Sequence, residues 1–158
     1  MTLPEDIYSQ RILELAAAIP RTARLTAPHA SATAHSKLCG STVTIDLAME
    51  GDVVTDYGQS VKACLLGQSA ASVMGREVIG SSAEELRAVG AAMRKMLKQG
   101  GPPPAGKWAD LAMLEPVRDY RARHASTLLV FDAVEDAIRQ VEAKRAAAGA
   151  GLHSQEHV

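Results

Sequence analysis

Cysteine is scarce in this chain: Cys39 and Cys64 are the only two among 158 residues. Two thiols cannot build a disulfide-dense secreted scaffold. Aromatics are nearly as rare. Tyr8, Tyr57, Trp108, Tyr120 and Phe131 are all of them, and five dispersed rings make poor stacking platforms for single-stranded nucleic acid. An excess of either charge is missing too. Lys+Arg 17 against Asp+Glu 18 gives a net charge of -1, without the basic field that nucleic acid selects. No apolar run approaches the ~20 residues of a membrane span. Met1-Thr2-Leu3-Pro4-Glu5-Asp6 lacks a basic region followed by an apolar one, so it does not read as a signal peptide. The expectation is a cytoplasmic protein.

What is present is an ordinary globular composition, 47% hydrophobic and 22% charged. At this length one core buries roughly 68–70% of the surface the unfolded chain exposes, so folding needs neither metal nor disulfide. Residues 4–18 predict a first helix. Pro4 suits its first turn, Glu5 and Asp6 suit its positive end, and Tyr8, Ile12, Leu15 and Ile19 share a face. Residues 21–38 read as a loop or a weak edge strand. Val43, Ile45, Leu47 and Met49 alternate with Thr42, Thr44 and Asp46, the pattern of a half-buried strand. Glu50-Gly51-Asp52 is a turn signal, and Val53–Tyr57 reads as the returning strand of an antiparallel hairpin.

Helical spacing returns over residues 63–75, with Gly75 marking the end. Ser81-Ser82 before Glu84-Glu85 is a capping-box signature for a helix to about Gln99, stopped by Gly100-Gly101. Trp108–Leu114 predicts a short apolar turn or helix limited by Pro116. Leu128, Phe131, Val134, Ile138 and Val141 predict a last helix from about His124 to near Arg145. Residues 1–145 therefore form one domain, and 146–158 read as a disordered tail. A hairpin followed by segregated helices predicts an α+β fold, a small antiparallel sheet packed on helices.

Both cysteines fall at the ends of elements, where sites are usually built. Cys39 precedes the first confident strand, beside Gly40, which permits unusual backbone angles. Cys64 lies where strand gives way to helix, near Lys62, and a helix's positive end favours an anionic sulfur. A hairpin between them returns the second thiol to the edge of the sheet where the first begins. Two thiolates there suit a soft metal such as zinc, or an iron–sulfur cluster. The spacing also fits two buried small hydrophobes, since no CxxC pair is present. His124 opens the last helix. It is a capping or surface residue unless that helix end reaches the cysteines, in which case it is a ligand. His35 precedes Cys39 closely enough to be a candidate donor as well. Arg118, Arg121 and Arg123 form either a solvated face or a dock for an acidic partner.

The order of these features resembles a known family. A first helix carries Tyr8 and Ile12-Leu13, and Cys39-Gly40-Ser41 enters a strand. Cys64 then opens a helix rich in Gly67, Ser69, Ala70, Ala71 and Ser72, and Arg123-His124-Ala125-Ser126-Thr127-Leu128-Leu129 opens the last. From about Tyr8 to Glu142 the chain is similar to the iron–sulfur cluster assembly scaffolds IscU and SufU and the NifU N-terminal domain. The segment with Leu114-Glu115-Pro116-Val117 before the last helix is more similar to the SufU branch. The resemblance implies an α+β fold and a site of three cysteines and an aspartate, in which Cys39 and Cys64 are the first two cysteines.

Two positions depart from that pattern. Ser41 stands where the family has the aspartate, and Ala125 where it has the third cysteine; His124 matches a histidine of the IscU branch. Cys39, Cys64 and His124 make three ligands, the count of an open zinc site. A cluster on one chain normally takes four, so a partner or a second copy would complete it. The expected role is a non-enzymatic scaffold or carrier for an iron–sulfur cluster or zinc. Its expected partners are a cysteine desulfurase and other cluster-assembly proteins, with a homodimer allowed by the ligand count. The alternatives are a zinc-dependent sulfur acceptor and a degenerate homologue that binds a desulfurase or chaperone without metal chemistry.

Overall fold

The computed structural model describes residues 9–37 and 40–156 of the chain. The elements run α1 (Gln10–Ala17), β1 (Ala30–His35), β2 (Thr42–Glu50), β3 (Val53–Lys62), α2 (Leu65–Glu77), α3 (Ala83–Gln99), a 3-10 segment (Gly106–Asp119) and α4 (His124–Glu156). The strands form one antiparallel meander in the order β1-β2-β3. The α+β expectation holds.

β2 shows the alternation its sequence predicts. Val43, Ile45, Leu47 and Met49 are buried and join the core, against which α4 crosses β1 and β2. The opposite face is also covered, which the sequence did not suggest. Asp46 is fully buried there. Arg24 reaches its carboxylate through Nε at 2.5 Å and Nη2 at 2.9 Å. The Leu25 amide donates at 3.0 Å and the Ser31 hydroxyl at 2.5 Å. The segment before β1 thus lies flat over the sheet, and Gly58 lets it. A Cβ at Gly58 would stand 2.3 Å from the Ala23 carbonyl oxygen. The stretch that reads as a loop or a weak edge strand is this cover followed, at Ala30–His35, by the edge strand β1.

Four other expectations change. Ser9 caps α1 through its side chain on the Ile12 amide, 3.3 Å away, so the helix starts at Gln10. Pro4, Glu5, Asp6 and Tyr8 lie outside the described residues. β3 continues five residues past Tyr57, because Gln59 turns inward: its amide nitrogen donates to the carbonyls of Pro20 (3.1 Å) and Ala71 (3.0 Å), and its oxygen accepts from Tyr57 Oη (3.0 Å). Gly75 does not end α2. It sits within the helix where a Cβ would stand 2.7 Å from Gln59 Nε2, so it marks close packing. α4 runs past Arg145 to Glu156: Ala146, Ala147 and Ala148 favour the continuation, and the helix carries on through Gly149 and Gly151 against their low helix propensity.

The Pro-rich link after α3 leads into a fixed segment rather than a loose one. Gly100 ends α3 with φ 68. Ser82 caps α3 by accepting from the Glu85 amide at 3.0 Å. The reciprocal half of the capping box is absent, because the Glu85 carboxylate takes Trp108 Nε1 at 2.8 Å and Lys107 at 3.2 Å. Leu111, Leu114 and Val117 bury the 3-10 segment against α2 and α3. This segment delivers the chain to the start of α4.

Candidate functional site

The site grows from one end of the sheet. Thr42, which opens β2, pairs with His35 at the end of β1 and with Lys62 at the end of β3. The loop between His35 and Thr42 and the exit of β3 therefore share that end. The described residues of that loop bond to one another: Gly40 donates to the Ser36 carbonyl and Ser36 to the Ser41 carbonyl, both at 2.9 Å, and Gly40 has φ 69. Only glycine adopts that angle without strain. Ser41 is buried. Cys39 lies outside the described residues.

Cys64 occupies the N-cap of α2 and is half-buried. Its sulfur lies 3.4 Å from Ser126 Oγ, at the start of α4. In the sequence Ser126 carries no functional signal beyond its place beside His124 and Ala125. The contact depends on Gly67. A Cβ there would meet the Ser126 carbonyl oxygen at 2.8 Å and Ala63 Cβ at 2.9 Å, so only glycine lets the first turn of α2 approach α4 this closely. The Ser126 hydroxyl also lies 3.2 Å from the Arg123 carbonyl. One hydroxyl proton serves either partner. Donated to Arg123, it leaves the oxygen to accept from a thiol; turned to Cys64, it stabilises a thiolate.

His124 is buried at the head of α4. Its Nε2 lies 3.0 Å from the Val117 carbonyl and 3.1 Å from that of Arg118. Both neighbours are acceptors, so Nε2 carries a proton, and in the neutral ring the lone pair is on Nδ1. Metal-bound histidines usually have their other nitrogen held in this way. Ala125 is exposed and brings no donor. His35 is exposed, with Nδ1 3.3 Å from Thr42 Oγ1 at the same end of the sheet. His29 is removed from the site: it sits at the other end of β1, where Nδ1 accepts from the Met49 amide at 3.0 Å. Among the described residues, no group of three His, Cys, Asp or Glu side chains gathers to hold a metal. Nor is any helix among them long and apolar enough to cross a membrane.

Comparison with known proteins places the fold and the lineage. No family model matches the chain. The iron–sulfur cluster assembly scaffold protein IscU of Thermotoga maritima is 26% identical over 103 residues, 65% of this chain and 72% of that protein. A SUF-system scaffold, described as putative, from Fervidobacterium islandicum shares the fold at TM-score 0.78 and 20% identity, over 86% of this chain and 99% of its own. The N-terminal part of a nitrogen-fixing NifU-like protein from Brucella abortus superposes at TM-score 0.88 with 60% identity, covering 89% of this chain and 97% of its own. Identity at that level, held over almost the whole of the Brucella domain, makes this chain a member of the IscU- and NifU-like family of iron–sulfur cluster assembly scaffolds.

Proposed function

We propose that this scaffold receives its cargo, an iron–sulfur cluster or zinc, where β3 passes into α2, with Cys39, Cys64 and His124 Nδ1 as its own donors. The observation that carries the reading is Cys64 held at the N-cap of α2 and in contact with Ser126 of α4. That contact ties the thiol to the helix start that bears His124. The pairing of Thr42 with Lys62 supports it further, since the loop containing Cys39 departs from the same end of the sheet.

The donor chemistry fits such cargo incompletely, and the shortfall is informative. Two thiolates and one imidazole suit a soft or borderline metal, but Ser41 and Ala125 supply no anionic ligand at neutral pH. One coordination position is left for a partner or a second copy. The chain's own residues then have distinct tasks. Ser126 orients and stabilises the Cys64 thiolate, and the Val117 and Arg118 carbonyls fix the His124 ring. A cysteine desulfurase is the sulfur source this reading requires, and no catalytic group is assigned to the scaffold itself.

The test is iron, zinc and acid-labile sulfide per chain after anaerobic reconstitution, with Cys39→Ser and Cys64→Ser alongside. Stoichiometric iron and sulfide, lost in both variants, is the expected result. Zinc lost in both variants and weakened in His124→Ala identifies zinc as the cargo. Absence of bound metal and sulfide in the unaltered protein overturns the reading and leaves a fold that binds partners only.

A further inference from the structure

The cations of this chain divide into two groups. Arg11, Arg24, Arg76, Arg87, Arg94, Lys107 and Arg139 are each ion-paired with a carboxylate. The others form no ion pair among the described residues, and three of these, Lys98, Arg118 and Arg121, converge. Together with Leu97, His124 and Ala125 they line a cavity of about 460 Å³ between the end of α3, the end of the 3-10 segment and the head of α4. No carboxylate lines it. That volume lies within the range of small-molecule sites, about 300–1,000 Å³.

The walls are held in place. The His124 ring donates to the Val117 and Arg118 carbonyls, the Tyr120 amide to the Val117 carbonyl at 2.8 Å, and the Arg123 amide to the Tyr120 carbonyl at 2.9 Å. These bonds fix the backbone that carries Arg118 and Arg121. Like charges held together in a concavity repel one another and focus a positive potential there. Guanidinium forks match carboxylate and phosphate oxygens two at a time, and a lysine adds a mobile point charge.

We infer that this cavity is a binding site for a small, multiply charged oxyanion bearing phosphate or carboxylate groups, seated beside Ala125. The inference rests on the cations and the cavity, not on any metal. It is independent of whether Cys39 and Cys64 hold cargo.

Two probes test it: pyrophosphate and citrate, titrated into the isotope-labelled protein by NMR, with ionic strength held constant by sodium chloride. Saturable shifts are expected at the amides of Arg118, Arg121, His124 and Ala125. Arg118→Glu with Arg121→Glu should weaken binding at least tenfold while leaving the rest of the spectrum in place, since both side chains are exposed. Lys144→Glu, at a second basic cavity lined by His29, Val141, Lys144, Arg145 and Ala148, should leave binding unchanged. Saturation by pyrophosphate alone assigns a phosphate ligand, and by citrate alone a carboxylate one. Shifts that sodium chloride reproduces, or equal binding by the double Arg→Glu variant, would overturn the inference.

Discussion

Replacing Asp46 by Asn tests the buried anchor that holds the segment before β1 onto the sheet. The carboxylate is fully buried, and it accepts from the Arg24 guanidinium, the Ser31 hydroxyl and the Leu25 amide. An Asn nitrogen in place of one oxygen would point donors at donors. Hydrogen bonds to a buried charge are worth about 1.5–3 kcal/mol each. Arg24 is 52% exposed, so water compensates part of its loss. A net cost of about 2–3 kcal/mol follows at pH 7, since one acceptor survives in Asn. For a chain of this size that lowers Tm by roughly 5–10 °C. The pH dependence carries a definite sign. Burial pushes the Asp46 carboxyl up, but Arg24, Ser31 and Leu25 together outweigh burial and hold it below its ordinary value. Its contribution is therefore full above the unfolded-chain value of about 3.9 and lost as pH falls through the lower folded value. Urea unfolding of both proteins from pH 7 down to pH 3 checks this. The gap should shrink only below about pH 4. A gap under about 1 kcal/mol at pH 7, or one that stays constant to pH 3, refutes the reasoning.

Gly67→Ala sets a helix-propensity gain of about 1 kcal/mol against overlap with the Ser126 carbonyl and Ala63. We expect a net loss of about 1–2 kcal/mol by thermal unfolding, and faster alkylation of Cys64 as α2 draws away from α4. Gln59→Leu keeps the volume but removes the partner of the Tyr57 hydroxyl and of the Pro20 and Ala71 carbonyls. It should cost about 2 kcal/mol. Adding Tyr57→Phe should cost less than the sum of the two single changes, because the orphaned hydroxyl is then gone; denaturant midpoints decide it.

Local patterns carried most of the fold. The alternation of β2, the Ser82 cap, the Gly100 stop and the apolar spacing from Leu128 to Val141 are each written in neighbouring residues. What stayed hidden depends on contacts distant in sequence. Asp46 reads as a solvent-facing position because its alternation with Ile45 says nothing of Arg24, which folds over it. Gly75 looks like a stop until Gln59 is seen beside it. The cap of Glu85 is incomplete because Trp108, beyond the Pro-rich link, takes its carboxylate. The site divides in the same way. Cys64 at a helix start was legible from the strand-to-helix change. Ser126 and the held Nε2 of His124 were not, since both follow from how α4 packs on α2 and on the 3-10 segment.

The resemblance implies an aspartate where this chain has Ser41 and a cysteine where it has Ala125, and both departures act in one electrostatic direction. Aspartate and cysteine are anionic donors, and their replacement by Ser41 and Ala125 removes negative charge from the proposed site. Lys98, Arg118 and Arg121 then place unpaired positive charge against Ala125 itself. A bare divalent cation is bound less well by such a site on both counts, having fewer anionic ligands and more repulsion. A cluster that arrives already ligated by four thiolates is a net anion and gains from the same field. So does an anionic molecule bringing its own ligand to the open position. The charge arrangement therefore favours cargo that arrives already assembled over stepwise loading with free metal. Transfer of a preformed cluster from a donor scaffold should accordingly slow in the Arg118→Glu, Arg121→Glu protein, while direct loading with zinc should not weaken.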